Sequence, residues 1–267
     1  MIDISLKRQF FIRKEENMEY LLIFIAGTAA GFLNTIGGGG SLITMPVLIF
    51  MGLPSATANG TNRIALLAQN FSATLNFKRK GYFYPKLIIL LAVPAIIGSI
   101  IGSNLAVNLP DEIFNKVLGI VMIVVLILIL TRPERKFLEG EEIVELVGRR
   151  KVLSVIAFLF VGFYGGFIQA GVGFIFIVAL SLITGMSLVK INSLKVAIVG
   201  IYTVTALSVF ILSGNVDWYL GLLLAVGNST GAYLGSNFAV SKGDKYIRIV
   251  ITIVIIIMAG RLWGLWL

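Results

Sequence analysis

Two cations stand inside candidate membrane stretches, the first of them unusually polar. Arg63 lies in TNRIALLAQNFSATLNF (61–77) and Lys195 in SLKVAIVGIYTVTAL (193–207), at nearly equivalent places in the two halves of the chain. The other candidate side chains are neutral donors rather than reactive ones: Asn34, Ser41, Asn59, Thr61, Asn62, Gln69, Gln169 and Tyr202. Glycines supply bare backbone at Gly37, Gly38, Gly39 and Gly40, and again at Gly171 and Gly173. Amide and hydroxyl donors beside a cation suit a ligand with acceptor oxygens, an anion. The alternative for each cation is that its long stem carries the charge to a headgroup at a helix end. The chain has no histidine and no cysteine. That removes imidazole bases, thiol nucleophiles and most transition-metal ligands, so no cofactor, no metal and no enzyme activity are expected. Beyond the 1–17 tail, every carboxylate falls in a loop or at a segment end: Glu19, Asp111, Glu112, the 134–145 cluster, Asp217 and Asp244. A carboxylate proton relay and a carboxylate cation site are both disfavoured.

The elements that must position these groups are membrane helices. Of the 267 residues, 58% are hydrophobic and 13% charged, against about 25% charged in soluble domains. Apolar runs are continuous instead of alternating, which excludes a β-barrel. The net charge of +9 reads as topogenic charge on one side of a bilayer, not as a nucleic-acid surface. Apolar segments fall near 20–36, 41–51, 64–77, 86–106 and 113–130, then near 152–169, 174–186, 193–212, 218–239 and 246–265. The polar stretch TRPERKFLEGEEIVELVGRRK (131–151) divides them. The expected organisation is a tail (1–17), a first membrane repeat (18–130), a cytoplasmic linker (131–151) and a second repeat (152–267).

The halves match in sequence. GSIIGSNLA (98–106) recurs as GAYLGSNFA (231–239), 133 residues on, and at that spacing Gly52 meets Gly185 and Gly81 meets Gly214. GFLNTIGGGG (31–40) faces GFIQAGVG (166–173). Such agreement marks an internal duplication. Five segments per half is an odd number, so the second half re-enters the membrane upside down. Loops at 78–86, 131–151, 186–195 and 240–248 then share the cytoplasmic side with most of the Lys and Arg, leaving Arg63, Lys116 and Arg261 on the other. The tail, with Lys7, Arg8, Arg13 and Lys14, opposes this arrangement. Translation starting at Met18 would remove it. The rival topology has eight crossings, a cytoplasmic N-terminus and parallel repeats.

The glycine run precedes a segment of 11 residues, 41–51, about 17 Å long as a helix, too short for a hydrocarbon core of about 30 Å. Segment 174–186 is short as well. Short segments behind a break at matching places of two halves point to a transporter's site. Ser41 is expected to cap the helix after the break, and the two breaks to meet near the midplane. Whether 20–51 and 152–186 form two crossings or one re-entrant hairpin each is open at this level. Asn62, Gln69, Ser72 and Asn76 fall on one helical face, and Lys195, Tyr202 and Thr205 on another. Such stripes face a cavity or another helix.

GFLNTIGGGGSLITMPVLIFMGLPSATANGTNR (31–63), with GYFYPK (81–86) and GSIIGSNLA (98–106), resembles the sulfite exporter TauE/SafE family, also called the toluene-sulfonate uptake permeases. The resemblance implies a multi-pass protein of the bacterial or archaeal inner membrane that carries small sulfur-containing anions. The expected partners are therefore a small anionic substrate and the lipid bilayer; a homo-oligomer is compatible with the sequence. A passive anion channel, a carrier of another organic anion, and a membrane subunit docking a partner through 131–151 are the rival readings.

Overall fold

The computed structural model describes residues 21–131 and 146–262, and all of their regular structure is helical. The helices are α1 (Leu21–Ile36), α2 (Ser41–Phe50), α3 (Ser55–Arg79), α4 (Pro85–Val107), α5 (Asp111–Thr131), α6 (Gly148–Phe167), α7 (Val172–Thr184), α8 (Leu188–Leu212) and α9 (Trp218–Leu262). Helix α9 breaks at Gly243, whose φ is 70°. The tail 1–17 and most of the 131–151 linker lie outside the described residues.

Glycine decides where several helices stop. Gly52 (φ 91°) and Gly185 (φ 61°) end the short helices α2 and α7, and Gly81 (φ 84°) and Gly214 (φ 73°) end α3 and α8. A left-handed residue after the last turn satisfies open carbonyls, and only glycine adopts it without a steric cost. These are the pairs spaced by 133 in the sequence.

Among the described residues, α4, α6 and α8 are long and apolar enough to cross a membrane. Helix α3 matches α8 in length at 25 residues but is too polar to qualify. Its polar groups are inside: Asn59, Asn62, Arg63, Gln69, Asn70 and Asn76 are all buried. Meanwhile Ile89, Val93, Ile97 and Ile101 of α4 and Val152, Ile156 and Phe160 of α6 are exposed. An apolar rim around a polar interior is stable only where the surroundings are apolar too.

Small residues set the packing. A Cβ on Gly98 would lie 2.0 Å from the Leu159 carbonyl oxygen, and one on Gly102 2.0 Å from that of Phe163. A Cβ on Gly231 of α9 would lie 1.9 Å from the Thr28 carbonyl oxygen of α1. Both interfaces need bare backbone to close. Ascending positions meet ascending ones, so α4 runs parallel to α6, and the first part of α9 parallel to α1. Helices α3 and α8 cross antiparallel at the centre, with Gly60 against Phe210 and Asn70 against Gly200.

Hydrogen bonds fix the ends of the bundle. The Ser55 N–H donates to Asp111, the Thr57 hydroxyl to Asn215 and the Asp217 N–H to Thr61. The starts of α3, α5 and α9 therefore share one end. At the opposite end, Asn76 Nδ2 donates to Ser236 and Asn237, next to the Lys80 turn. Helix α1 accordingly enters from the Ser55 end and α2 returns there, while α6 enters from the Lys80 end and α7 returns there. Each pair is a hairpin with its tip inside the molecule.

Candidate functional site

The two tips meet backbone to backbone. Gly38 has φ 90°, and a Cβ on it would lie 2.3 Å from the Gly173 Cα; the reciprocal distance is 2.2 Å. Gly40 packs as tightly, since its Cβ would lie 2.1 Å from the Ala30 carbonyl oxygen. Gly37 closes α1 by donating its N–H to Leu33 O at 2.8 Å. Gly39 is different: a Cβ there would meet only the Phe174 ring, at 3.3 and 3.4 Å. Packing accounts for Gly38 and Gly40 and leaves Gly39 with little structural need. In the second tip Gly171 (φ 71°) precedes α7, and Gln169 holds φ 66°, the one non-glycine in this region among the described residues. That conformation costs about 1–2 kcal/mol outside glycine. The Tyr202 hydroxyl donates to Gln169 Oε1 at 3.1 Å, which pins the strained residue to α8.

Helix ends in the two tips align at a spacing of 131: Ile36 with Phe167, and Ser41 with Val172. The motif match of 31–40 with 166–173 is thus displaced by one helical turn. Gly31 corresponds to Gly162, each packed on a neighbouring helix's backbone, and Gly38 corresponds to Gln169. Both helices carry small residues at successive turns of one face, so identity alone cannot choose between neighbouring turns. Ser41 is also not the cap expected: Gly40 is the N-cap of α2, no side chain caps it, and Ser41 is the first helical residue, buried.

Arg63 and Lys195 are buried, at 0% and 2% exposure, so neither reaches a headgroup. Lys195 Nζ donates to Asn34 O at 2.9 Å, Thr35 O at 3.1 Å and Asn192 Oδ1 at 2.7 Å, while Asn192 Nδ2 donates to Ile36 O at 3.0 Å. Arg63 repeats the arrangement at the other tip. Nη1 donates to Gly165 O at 3.1 Å, and Nη2 to Gly166 O at 2.5 Å and Asn59 Oδ1 at 3.2 Å. Asn59 Nδ2 donates to Phe167 O at 2.7 Å, and the guanidinium lies 4.7 Å from the Phe210 ring centroid. Each cation–asparagine pair on a central helix thus satisfies the last carbonyls of the other half's broken helix, where the helix dipole is negative. Asn192 is a member of the second clamp that the sequence reading missed. Its signal was present, because it precedes Lys195 by three positions as Asn59 precedes Arg63 by four.

Among the described residues neither buried cation has a carboxylate partner; the ion pair Lys116–Glu112, at 2.7 Å, is on the surface. Two cationic side chains face two helix ends worth about half a charge each, and the starts of α2 and α7 point their positive ends inward.

The remaining candidates divide. Asn62 Oδ1 accepts from Thr44 Oγ1 at 2.7 Å, which sets Asn62 against the first turn of α2. Asn34 is buried beside Gly40. Thr61 is elsewhere, accepting from the Asp217 N–H at 2.8 Å at the Ser55 end. Gln69 belongs to the α3–α9 interface and accepts from Asn228 Nδ2 at 3.2 Å. Three members of the α3 stripe thus face α9, since Ser72 also bonds Ser229 O and Asn76 bonds Ser236, while the fourth, Asn62, turns to α2.

A helical protein with an apolar rim, interrupted helices meeting inside it and buried cations has the architecture of a membrane transporter. The chain belongs to the sulfite exporter TauE/SafE family, which it matches over residues 23–262. It is 30% identical over 240 residues to the probable membrane transporter protein ORF9 of a Sinorhizobium species, covering 90% of each chain. It is 30% identical to the probable membrane transporter protein YfcA of Escherichia coli K12, covering 90% of this chain and 88% of that one. A probable membrane transporter protein of Haemophilus influenzae is 29% identical, with 90% and 93% covered. No solved structure matches.

Proposed function

We propose that this chain is a secondary transporter of small sulfur-containing anions, such as sulfite or sulfonates, working by alternating access around the two helix breaks. The observation that carries this reading is the meeting of two interrupted hairpins, Gly38 on Gly173, beside two buried cations that have no carboxylate partner among the described residues. The halves act as inverted repeats: one hairpin enters from each end of the bundle and each is clamped by the other half's central helix. Rocking of the hairpins on α3 and α8 would open the centre to one side and then the other. The Lys80 end bears Lys78, Arg79, Lys80, Lys86, Arg149, Arg150 and Lys151 and faces the cytoplasm of a bacterial inner membrane. The anion would sit at Gly39 and the start of α2, where bare N–H groups, Asn34 and Asn62 are at hand.

The family's own description, sulfite exporter, supports the substrate class. An uncoupled monoanion is driven out of a negative-inside cell by roughly 2.3 kcal/mol per 100 mV, so export needs no coupling ion. The test is flux of labelled sulfite into proteoliposomes, with sulfoacetate and thiosulfate as competitors. Saturable flux with counterflow is expected. Flux that does not saturate would make the protein a channel, and an absence of sulfite flux from well-folded protein would remove the sulfur-anion assignment.

A further inference from the structure

The two clamps look alike but are chemically unequal. Each uses three acceptors: two helix-end carbonyls and one asparagine Oδ1. An ammonium has three N–H donors and a guanidinium five. Lys195 is therefore saturated, whereas Arg63 retains donors, and its Nε is buried with no partner among the described residues. The residue before each cation differs in the same sense. Asn62 precedes Arg63 and has a buried Nδ2 without a partner; Leu194, fully buried, precedes Lys195. The facing first turns differ as well. Helix α2, ten residues long, brings Thr44 to Asn62. Helix α7 begins Val172-Gly173-Phe174-Ile175 and has no polar side chain there.

We propose that the anion binds on one side only of the pseudo-symmetric centre, between the first turn of α2 and the last turn of α6. The unpartnered N–H groups of Arg63 Nε and Asn62 Nδ2 are its side-chain donors, and Lys195 serves as a cap alone. This rests on the anion-transport reading above and assigns its site. The ligand class is a small oxyanion with at least two acceptor oxygens, because consecutive α3 residues, one reaching α2 and the other α6, each keep a buried, unused donor. Leaving such donors empty is costly, and an oxyanion removes that cost where a neutral apolar ligand would not.

The mirrored clamp supplies the discriminating variant. Lysine at the equivalent position holds its helix end with three bonds, so Arg63→Lys keeps the clamp and loses Nε. Asn62→Asp keeps the acceptor for Thr44 and replaces the donor with a negative oxygen. Equilibrium binding of labelled sulfite to the purified full chain is expected to give one ion per chain. Arg63→Lys should fold and bind about tenfold or more weakly, as loss of a charged hydrogen bond implies. Asn62→Asp should fold and lose saturable binding, and it reports on the site even if Arg63→Lys does not fold. Two sulfites per chain, or wild-type affinity in either folded variant, would overturn the one-sided site while leaving transport intact. A wild-type protein that neither binds nor moves sulfite would overturn the transport reading and the site with it.

Discussion

Glycine in the four-residue run serves separate purposes at successive positions. Gly38 needs its left-handed φ and its contact with Gly173. Gly38→Ala should therefore cost the left-handed strain, about 1–2 kcal/mol, together with an overpacking term of roughly 1–3 kcal/mol. Thermal unfolding in detergent would show it as a lowered midpoint. Gly39→Ala meets only a ring edge and should shift stability by less than about 1 kcal/mol, while its methyl obstructs the start of α2 and lowers sulfite flux. A large stability loss in Gly39→Ala would mean that this glycine too is structural. Lys195→Met would strand two buried carbonyls and Asn192 Oδ1. At about 1–3 kcal/mol for each unsatisfied group, it should destabilise the fold by at least ~2 kcal/mol, read by the same unfolding experiment.

At the scale of elements, the interfaces α4–α6 and α1–α9 are equivalent closures. Gly98→Leu and Gly231→Leu each place a side chain where the neighbouring carbonyl oxygen stands about 2 Å from the Cβ. Both should cause loss of monodisperse protein on size exclusion, to similar degrees. Gly119 in α5 has nothing within 4 Å of its Cβ position. Gly119→Ala should raise the unfolding midpoint, since alanine is favoured over glycine in a helix interior by about 0.5–1 kcal/mol. The element-level pattern was legible because helix stops are local chemistry. The glycine pairs 52/185 and 81/214 mark left-handed termini that no other residue fills as well. The register of the two breaks was not legible, because small residues recur at successive turns of one face and a motif match can slip by one turn.

For the whole molecule, the expected arrangement puts the Lys80 turn in the cytoplasm and the α4–α5 turn outside. The chain lacks cysteine, so single cysteines can be read without background. In intact cells Asn108→Cys should react with a membrane-impermeant maleimide, and Lys80→Cys only after permeabilisation. Labelling of both before permeabilisation would exclude the proposed orientation. Both positions are exposed, so accessibility reports sidedness rather than burial.

The all-helical class and the glycine-marked helix ends came from the sequence by itself, because hydropathy and glycine's freedom act over a few residues. The absence of histidine and cysteine and the peripheral carboxylates likewise narrowed the chemistry to hydrogen-bond donors and cations. Only the tertiary structure decided what those cations touch. Arg63 and Lys195 looked interchangeable as mirrored charges. Folding brought each against the broken helix of the opposite half, more than a hundred positions away in sequence, and there a count of donors against acceptors separates them. Three acceptors saturate an ammonium and leave a guanidinium with N–H groups unused, a difference that exists only once both partners are in place.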